Sequence, residues 1–101
     1  MLNGAFSKSG MWIRLPDERW QHIMTSHPEM ANYRLLALDV LTNPERILEG
    51  GAGELMSIRE VESRKWLVVV YRELSEDGFV ITAFLTRRHR SLEKRAVIWS
   101  H

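Results

Sequence analysis

The chain of 101 residues contains no cysteine, and this absence excludes disulfide bonds, thiolate metal sites and a cysteine nucleophile. No apolar run approaches the roughly 18 residues that a membrane-spanning helix needs. The segment 1–10 also lacks the apolar stretch of a secretory signal. We therefore expect a cytoplasmic protein without a membrane segment.

Three motifs that mark common enzyme classes are missing as well. The glycine-rich segment Gly50–Gly53 does not fit the GxxxxGK[ST] pattern of a phosphate-binding loop. The chain has no GxSxG segment of the kind found in serine hydrolases. His22 and His27 are five residues apart, which does not place them on one helix face as the zinc motif HExxH requires. We therefore expect neither a metal nor an organic cofactor.

The length fits one domain with a single hydrophobic core. We predict a flexible lead-in at residues 1–10, followed by one domain at residues 11–101. The net charge is only +1, but the segment Arg87–Arg95 holds five basic residues and one acid. Such a patch is suited to binding phosphate groups, although it would equally serve as a solvated turn.

The most informative stretch is Lys65–Arg90. It contains two apolar runs rich in β-branched and aromatic residues, Trp66–Tyr71 and Phe79–Leu85, separated by the acidic segment Glu73–Gly78. This composition predicts an antiparallel β-hairpin. Because both runs are almost continuously apolar, we expect both faces of each strand to be covered.

The remaining elements place helices before the sheet. Apolar spacing predicts a helix at Asp17–Ser26, and Pro28 predicts a kink and then a second helix at Pro28–Leu41. We predict further strands or turns at Met11–Leu15 (an edge strand), Glu45–Glu49, Glu54–Val61 and Ala96–Trp99, with a polar connector at Ser91–Arg95. The predicted fold class is α+β, with two N-terminal helices packed on a curved antiparallel β-sheet.

Two histidines are candidates for acid–base chemistry. His22 lies on the polar face of the first predicted helix, four residues after Glu18, where it is suited either to proton transfer or to an ordinary exposed position. His27 is in phase with the apolar residues of that helix. Its simplest interpretation is therefore a structural histidine at the helix junction.

Several polar side chains of the predicted strands extend this set. By the two-residue alternation of a strand, Thr82 shares a side with Val80 and Arg88. Arg59 and Tyr71 fall on neighbouring strands. If these groups converge with a histidine, they suit metal-free RNA cleavage. In that reaction a base activates the 2′-hydroxyl and arginines stabilise charge on the phosphate.

The tryptophans are candidates for stacking on nucleic-acid bases. Trp66 lies inside the predicted hairpin, which favours a position in the core. Trp12 and Trp99 lie near the chain ends and are better suited to stacking. A clasp between the terminal strands is the other interpretation of these two residues.

The sequence resembles the small phage-type domains grouped with the barnase, EndoU, colicin and RelE-like nucleases. The most specific matching parts are His22-Ile23, His27-Pro28-Glu29, the VVVY strand and Val80-Ile81-Thr82-Ala83-Phe84. The resemblance covers nearly the whole chain and implies a RelE/barnase-like arrangement. It also implies a metal-independent ribonuclease site at His27, Thr82, Arg87 and Arg88, with His22 and Glu29 nearby.

The leading hypothesis is a toxin-like ribonuclease in which His22 or His27 is the acid–base catalyst, acting with Thr82 and Arg88. The groups expected to bind substrate are Glu29, Arg59, Tyr71, Arg87, Arg90 and Trp99. The expected partners are RNA and a cognate protein inhibitor. One alternative is a non-catalytic module that binds RNA or protein through Arg87–Arg95. Another is a structural domain whose arginines pair with the acids of a second copy.

Overall fold

The predicted hairpin forms the middle of a seven-stranded sheet in the computed structural model, which describes residues 3–101. The strands are β1 (Gly4–Phe6), β2 (Trp12–Arg14), β3 (Arg46–Glu49), β4 (Leu55–Glu62), β5 (Lys65–Glu73), β6 (Gly78–Thr86) and β7 (Val97–Ser100). Their order in the sheet is β1-β2-β6-β5-β4-β3-β7. All neighbours are antiparallel except β2 and β6, which are parallel. The α+β class is confirmed, but the sheet is mixed rather than antiparallel.

The helical elements of residues 3–101 are α1 (Asp17–Ser26), the 3₁₀ turn Pro28–Met30, α2 (Arg34–Thr42) and α3 (His89–Glu93). The predicted second helix, Pro28–Leu41, is therefore divided. Its first residues form a 3₁₀ turn because the amides of Met30 and Ala31 donate to carbonyls three residues back. None of these helices is both long and apolar enough to cross a bilayer.

Side chains from α1, the 3₁₀ turn and α2 pack on one face of the sheet. This core includes Trp20, Ile23, Met30, Leu38, Leu41, Leu67, Val69, Tyr71, Val80 and Ala83. The opposite face carries a second cluster that α3 covers with Leu92, and it includes Leu48, Met56, Ile58, Val68 and Val70. Residues 67–71 of β5 are therefore buried on both faces, as the continuous apolar pattern predicts.

A β-bulge in β6 changes which side chains share a face. Val70 pairs with Thr82, whereas the next residue, Tyr71, pairs with Val80, so that Ile81 is an extra residue in the strand. Directly paired residues lie on the same face of a sheet. Thr82 therefore lies on the α3 side with Val70, and Val80 lies on the helix side. The prediction that Thr82 and Val80 share a side is wrong because strict alternation fails at the bulge.

The N-terminal segment is more ordered than predicted. Residues 4–6 belong to the predicted lead-in but form β1, which pairs with β2, while residues 1–2 lie outside the described residues. The hydroxyl of Thr42 in α2 donates to the carbonyl of Phe6 and ties this strand to the helix. β2 is consequently the second strand of the sheet rather than its edge.

The parallel contact between β2 and β6 is short and depends on a glycine. It covers only the pairs Ile13–Gly78 and Arg14–Phe79. A β-carbon on Gly78 would lie 2.5 Å from Cδ1 of Ile13 and 3.1 Å from the carbonyl oxygen of Trp12, so glycine permits the close approach. Beyond Phe79, this edge of β6 is free of β2 and runs beside α1 and the 3₁₀ turn.

Candidate active site

A small cleft lies where β6 ends beside the 3₁₀ turn. It has a volume of about 220 Å³ and is lined by Glu29, Lys65, Leu85, Thr86 and Arg87. Glu29 is supplied by the 3₁₀ turn, and Lys65 is the first residue of β5. The antiparallel hairpin brings that residue beside the end of β6. We call this site the β6-end cleft.

His27 lies next to the β6-end cleft. It ends α1 with a non-helical backbone (φ −133°, ψ 75°), as expected for a residue that precedes proline. Its Nδ1 atom is 3.5 Å from Oε2 of Glu29, and its ring centroid is 5.7 Å from that of Phe84. The His27 side chain is 34% exposed. The imidazole is thus packed on one side and accessible on the other.

The cations at this cleft have few competing partners. The guanidinium of Arg87 makes one long contact of 3.4 Å to the carbonyl of Ser63. The ammonium of Lys65 lies 3.4 Å from the carboxylate of Glu62. The backbone amide of Arg88 donates to the hydroxyl of Thr86 at 3.0 Å, which fixes the turn that follows β6. Arg87 and Arg88 are exposed.

A pair of tilted aromatic rings, one on β5 and one on α3, continues this surface. The rings of Trp66 and His89 have centroids 5.6 Å apart at an interplanar angle of 36°. Trp66 is half-buried against the α3-side cluster, so it is part of the core only on one side. Arg90 lies next to this pair in sequence and is exposed. Together these residues present rings and positive charge beside each other, a combination suited to nucleic-acid bases and phosphates.

Sequence reasoning missed Lys65 and Thr86 as site residues. The signal for both was present in the predicted hairpin, because the first residues of one strand lie opposite the last residues of the next. Trp66 pairs with Thr86, so Lys65 is at the level of Arg87. An explicit register for the hairpin would have placed both residues beside the arginines.

Two of the predicted site residues do not reach this cleft. Tyr71 is only 1% exposed and belongs to the helix-side core, where burial raises the pKa of its hydroxyl. The Ser57 hydroxyl partly offsets this rise in pKa. Thr82 lies four residues before Thr86 along β6, opposite Val70. Neither residue lines the β6-end cleft.

Arg59 and Trp99 also lie elsewhere. The guanidinium of Arg59 is 2.8 Å from the carboxylate of Asp39 and donates to the carbonyl of Asn43 at 2.9 Å. The hydrogen bond from Arg59 is the main cause of a lowered pKa at Asp39. Trp99 lies on β7, and the ammonium of Lys8 is 4.9 Å from the centroid of its ring. Arg59 is therefore occupied by structural contacts, and Trp99 contacts the turn between β1 and β2.

His22 lines a different and larger cleft. This cleft has a volume of about 520 Å³ and is lined by Arg14, Pro16, Glu18, Arg19, His22, Phe79 and Val80. The structure therefore separates the two histidines that the sequence presented as alternatives. His27 lies 3.5 Å from Glu29, which lines the β6-end cleft together with Arg87, whereas His22 shares the larger cleft with Glu18, Arg14 and Arg19.

Within residues 3–101, no group of three histidine, aspartate or glutamate side chains is arranged to hold a metal ion. The charged groups that line the β6-end cleft are the carboxylate of Glu29 and the cations of Lys65 and Arg87, and the imidazole of His27 lies beside it. They are suited to proton transfer and to stabilising negative charge on a phosphate. Comparisons with models of protein families, with curated proteins and with solved structures found no match to this chain.

Proposed function

We propose that the protein is a metal-independent ribonuclease whose active site is the β6-end cleft. One observation carries the proposal: the His27–Glu29 pair lies beside a cleft that is also lined by Lys65 and Arg87. An imidazole next to a carboxylate is suited to general acid–base catalysis. Cations on the same cleft are suited to the charge that develops on a phosphate during cleavage.

Each group has a distinct role in the proposed reaction. His27 takes the proton of an RNA 2′-hydroxyl, and the 2′-oxygen attacks the adjacent phosphorus. The bond from phosphorus to the 5′-oxygen breaks, which leaves a 2′,3′-cyclic phosphate and a 5′-hydroxyl. Arg87 and Arg88 stabilise the phosphate oxygens, and the ammonium of Lys65 supplies the proton to the leaving oxygen. The negative charge of Glu29 stabilises the positive charge that the His27 ring acquires as it takes the proton.

The finer classification is part of the same proposal. We infer a RelE/barnase-like domain that acts on cytoplasmic RNA. It is supported by helices that precede the main hairpin in the chain and by basic residues that directly follow its last strand. In RNA cleavage without a metal, such residues replace the charge that a metal ion would provide.

Incubation of the purified protein with mixed RNA in EDTA tests the proposal. The wild type should cleave, and His27→Ala should reduce the rate by about 10²–10⁴, the usual contribution of a general acid or base. His101→Ala is a matched control, because this exposed histidine lies against Trp99 and away from the cleft. Circular dichroism of each variant should be unchanged. Intact RNA with the wild type at high protein concentration would refute catalysis.

The same experiment separates the two histidines. His22→Ala should retain turnover, and the affinity of this variant for RNA is measured separately from its rate. Loss of cleavage in His22→Ala with normal cleavage in His27→Ala would move the catalytic role to the larger cleft. Dinucleotide substrates are suited to comparing the cleavage rates of the two variants, because they contain the reacting phosphate and make few contacts beyond it.

A non-catalytic RNA-binding module is the second candidate. It is favoured by the exposure of all five basic residues in Arg87–Arg95 and by the adjacent Trp66–His89 ring pair. Such a module should bind RNA with an affinity that falls as salt rises. The affinity should survive His27→Ala and weaken in the double variant Arg87→Ala/Arg88→Ala. Binding without any cleavage by the wild type would select this candidate.

A further inference from the structure

The larger cleft beside His22 has free polar groups and an aromatic surface. Arg14 forms a two-point ion pair with Asp77, with distances of 3.0 and 2.9 Å, and its guanidinium carbon is 5.9 Å from the centroid of Phe79. Arg19 has no carboxylate partner among residues 3–101, and its one contact is a 3.4 Å approach to the carbonyl of Ile81. Arg19 is thus the cation of this cleft that remains available to a ligand.

The larger cleft and the β6-end cleft lie along the same edge of β6. Near the start of the strand, Phe79 lines the larger cleft, and Arg19 of α1 reaches the bulge residue Ile81. Farther along, the His27 ring contacts that of Phe84, and Arg87 lines the β6-end cleft. α1 and the 3₁₀ turn therefore follow the strand from one cleft to the other.

The separation of the two clefts fits an extended polymer. From Phe79 to Arg87 the strand advances about seven positions, because Ile81 is an extra residue at the bulge, and this corresponds to about 23 Å at about 3.3 Å per residue. A ligand that fills both clefts must be longer than one nucleotide and must lie along the strand edge. Single-stranded RNA is such a ligand, because its backbone is extended and its bases are free to contact side chains.

We infer that the cleft lined by Arg19, His22 and Phe79 is a second RNA subsite, which holds a nucleotide several positions away from the reacting phosphate. This inference rests on the proposed function of the β6-end cleft. Arg19 contacts a phosphate of the RNA, and the ring of Phe79 contacts a base. Glu18 and His22 offer hydrogen bonds to base edges. The substrate is therefore a single-stranded segment rather than a duplex.

The test is binding of RNA that the protein cannot cleave. Oligonucleotides with 2′-O-methyl groups lack the attacking hydroxyl, so fluorescence anisotropy measures affinity without a reaction. The wild type should bind a strand of about eight nucleotides more tightly than one of about three, because known single-strand sites cover roughly 4–16 nucleotides. Arg19→Ala should weaken binding of the longer strand about tenfold, as expected for loss of one charged contact.

The same variant should also change the salt dependence. Loss of one phosphate contact lowers the slope of log affinity against log salt by about 0.7 for a single strand. Lys8→Ala is the matched control, because it removes one exposed positive charge located against Trp99. This control should leave both the affinity and the slope unchanged. Arg19 lies on an exposed helix face, where alanine is a good helix former, so folding should be retained.

The outcomes separate the subsite from the catalytic proposal. If Arg19→Ala and wild type bind the longer strand equally, or if strand length has no effect, the subsite is refuted even when RNA is cleaved. If no RNA is cleaved but Arg19→Ala still weakens binding of the longer strand, the subsite stands and catalysis falls. Equal weakening by Lys8→Ala would show a general charge effect and would also refute the subsite.

Discussion

The Nδ1 atom of His27 and the Oε2 atom of Glu29 are 3.5 Å apart, although the two residues are separated by a single proline in the chain. Residues two apart in a continuous α-helix do not face each other. The pair exists because Pro28 ends α1 at His27 and begins a tighter turn. The distance exceeds the usual 2.7–3.2 Å or so of a hydrogen bond, so the carboxylate acts on the ring mainly through its charge.

Replacement of Glu29 should separate turnover from binding. Glu29→Gln keeps the shape of the side chain and removes its charge, so the charge that develops on His27 during proton transfer loses a stabilising neighbour. We expect kcat to fall about tenfold, which corresponds to about 1.4 kcal/mol, while affinity for RNA stays the same or rises. Single-turnover kinetics combined with anisotropy on 2′-O-methyl RNA would measure both. A loss of affinity with unchanged kcat would contradict a role for Glu29 in the chemical step.

Arg87 and Arg59 should respond differently to the same substitution. Arg87→Ala removes an exposed cation of the β6-end cleft and should weaken RNA binding about tenfold with little change in stability. Arg59→Ala removes the partner of Asp39 and of the Asn43 carbonyl. It should lower the free energy of unfolding by about 1 kcal/mol and leave RNA affinity unchanged. Urea unfolding measures the stability of both variants, and fluorescence anisotropy measures their affinity for RNA.

The Asp39–Arg59 pair should also be visible in the pH dependence of stability. The hydrogen bond from Arg59, with a further one from Asn43, lowers the pKa of Asp39 in the folded protein. The pair therefore stabilises the fold above the unfolded pKa of about 3.9, and this contribution is lost as pH falls through the folded value. Because the carboxylate is 53% exposed, we expect Asp39→Asn to cost at most about 1 kcal/mol at pH 7.

The corresponding measurement is urea unfolding of wild type and Asp39→Asn from pH 7 downwards. The difference between them should narrow below about pH 3.9. In an Arg59→Ala background, Asp39→Asn should have a smaller effect at pH 7, since the ion pair is already absent. An equal effect in both backgrounds would show that the two residues do not couple.

Tyr71 should behave as a core residue. Its ring is almost fully buried between the sheet and the helices. Tyr71→Phe should retain RNA cleavage and change stability by about 1 kcal/mol or less, because it removes only a hydroxyl. Tyr71→Ala should cost about 3–5 kcal/mol through loss of a large buried side chain. Loss of cleavage in a stably folded Tyr71→Phe would restore Tyr71 to the site.

The parts of the fold that follow local patterns were predictable from the sequence. The hairpin of β5 and β6 is marked by two apolar runs around an acidic loop, and α1 has the spacing of a helix that buries one face. β1 was missed because a three-residue strand containing glycine carries no alternation. The parallel contact of β2 with β6 was missed because it involves only two residue pairs that are distant in sequence.

The positions of site residues could be predicted from the sequence where they follow from chain order. They could not be predicted where they depend on the register of the strands. Arg87 and Arg88 directly follow a strand, so their position at its end was evident. Thr82 was misplaced because a bulge cannot be seen in a uniformly apolar run. Arg59 was grouped with the other arginines by residue type, whereas its position beside Asp39 depends on the packing of α2 against β4.

Because of the bulge at Ile81, the effect of deleting one residue from β6 depends on the position of the deletion. Deletion of Ile81 would remove the unpaired residue, and the side chains from Thr82 onward would keep their present faces. A later deletion that leaves the bulge in place would move every following residue to the opposite face of the sheet. Thr86 and Arg87 would then leave the β6-end cleft. Ile81 is therefore the position at which this strand can become shorter by one residue without moving the cleft residues to the wrong side.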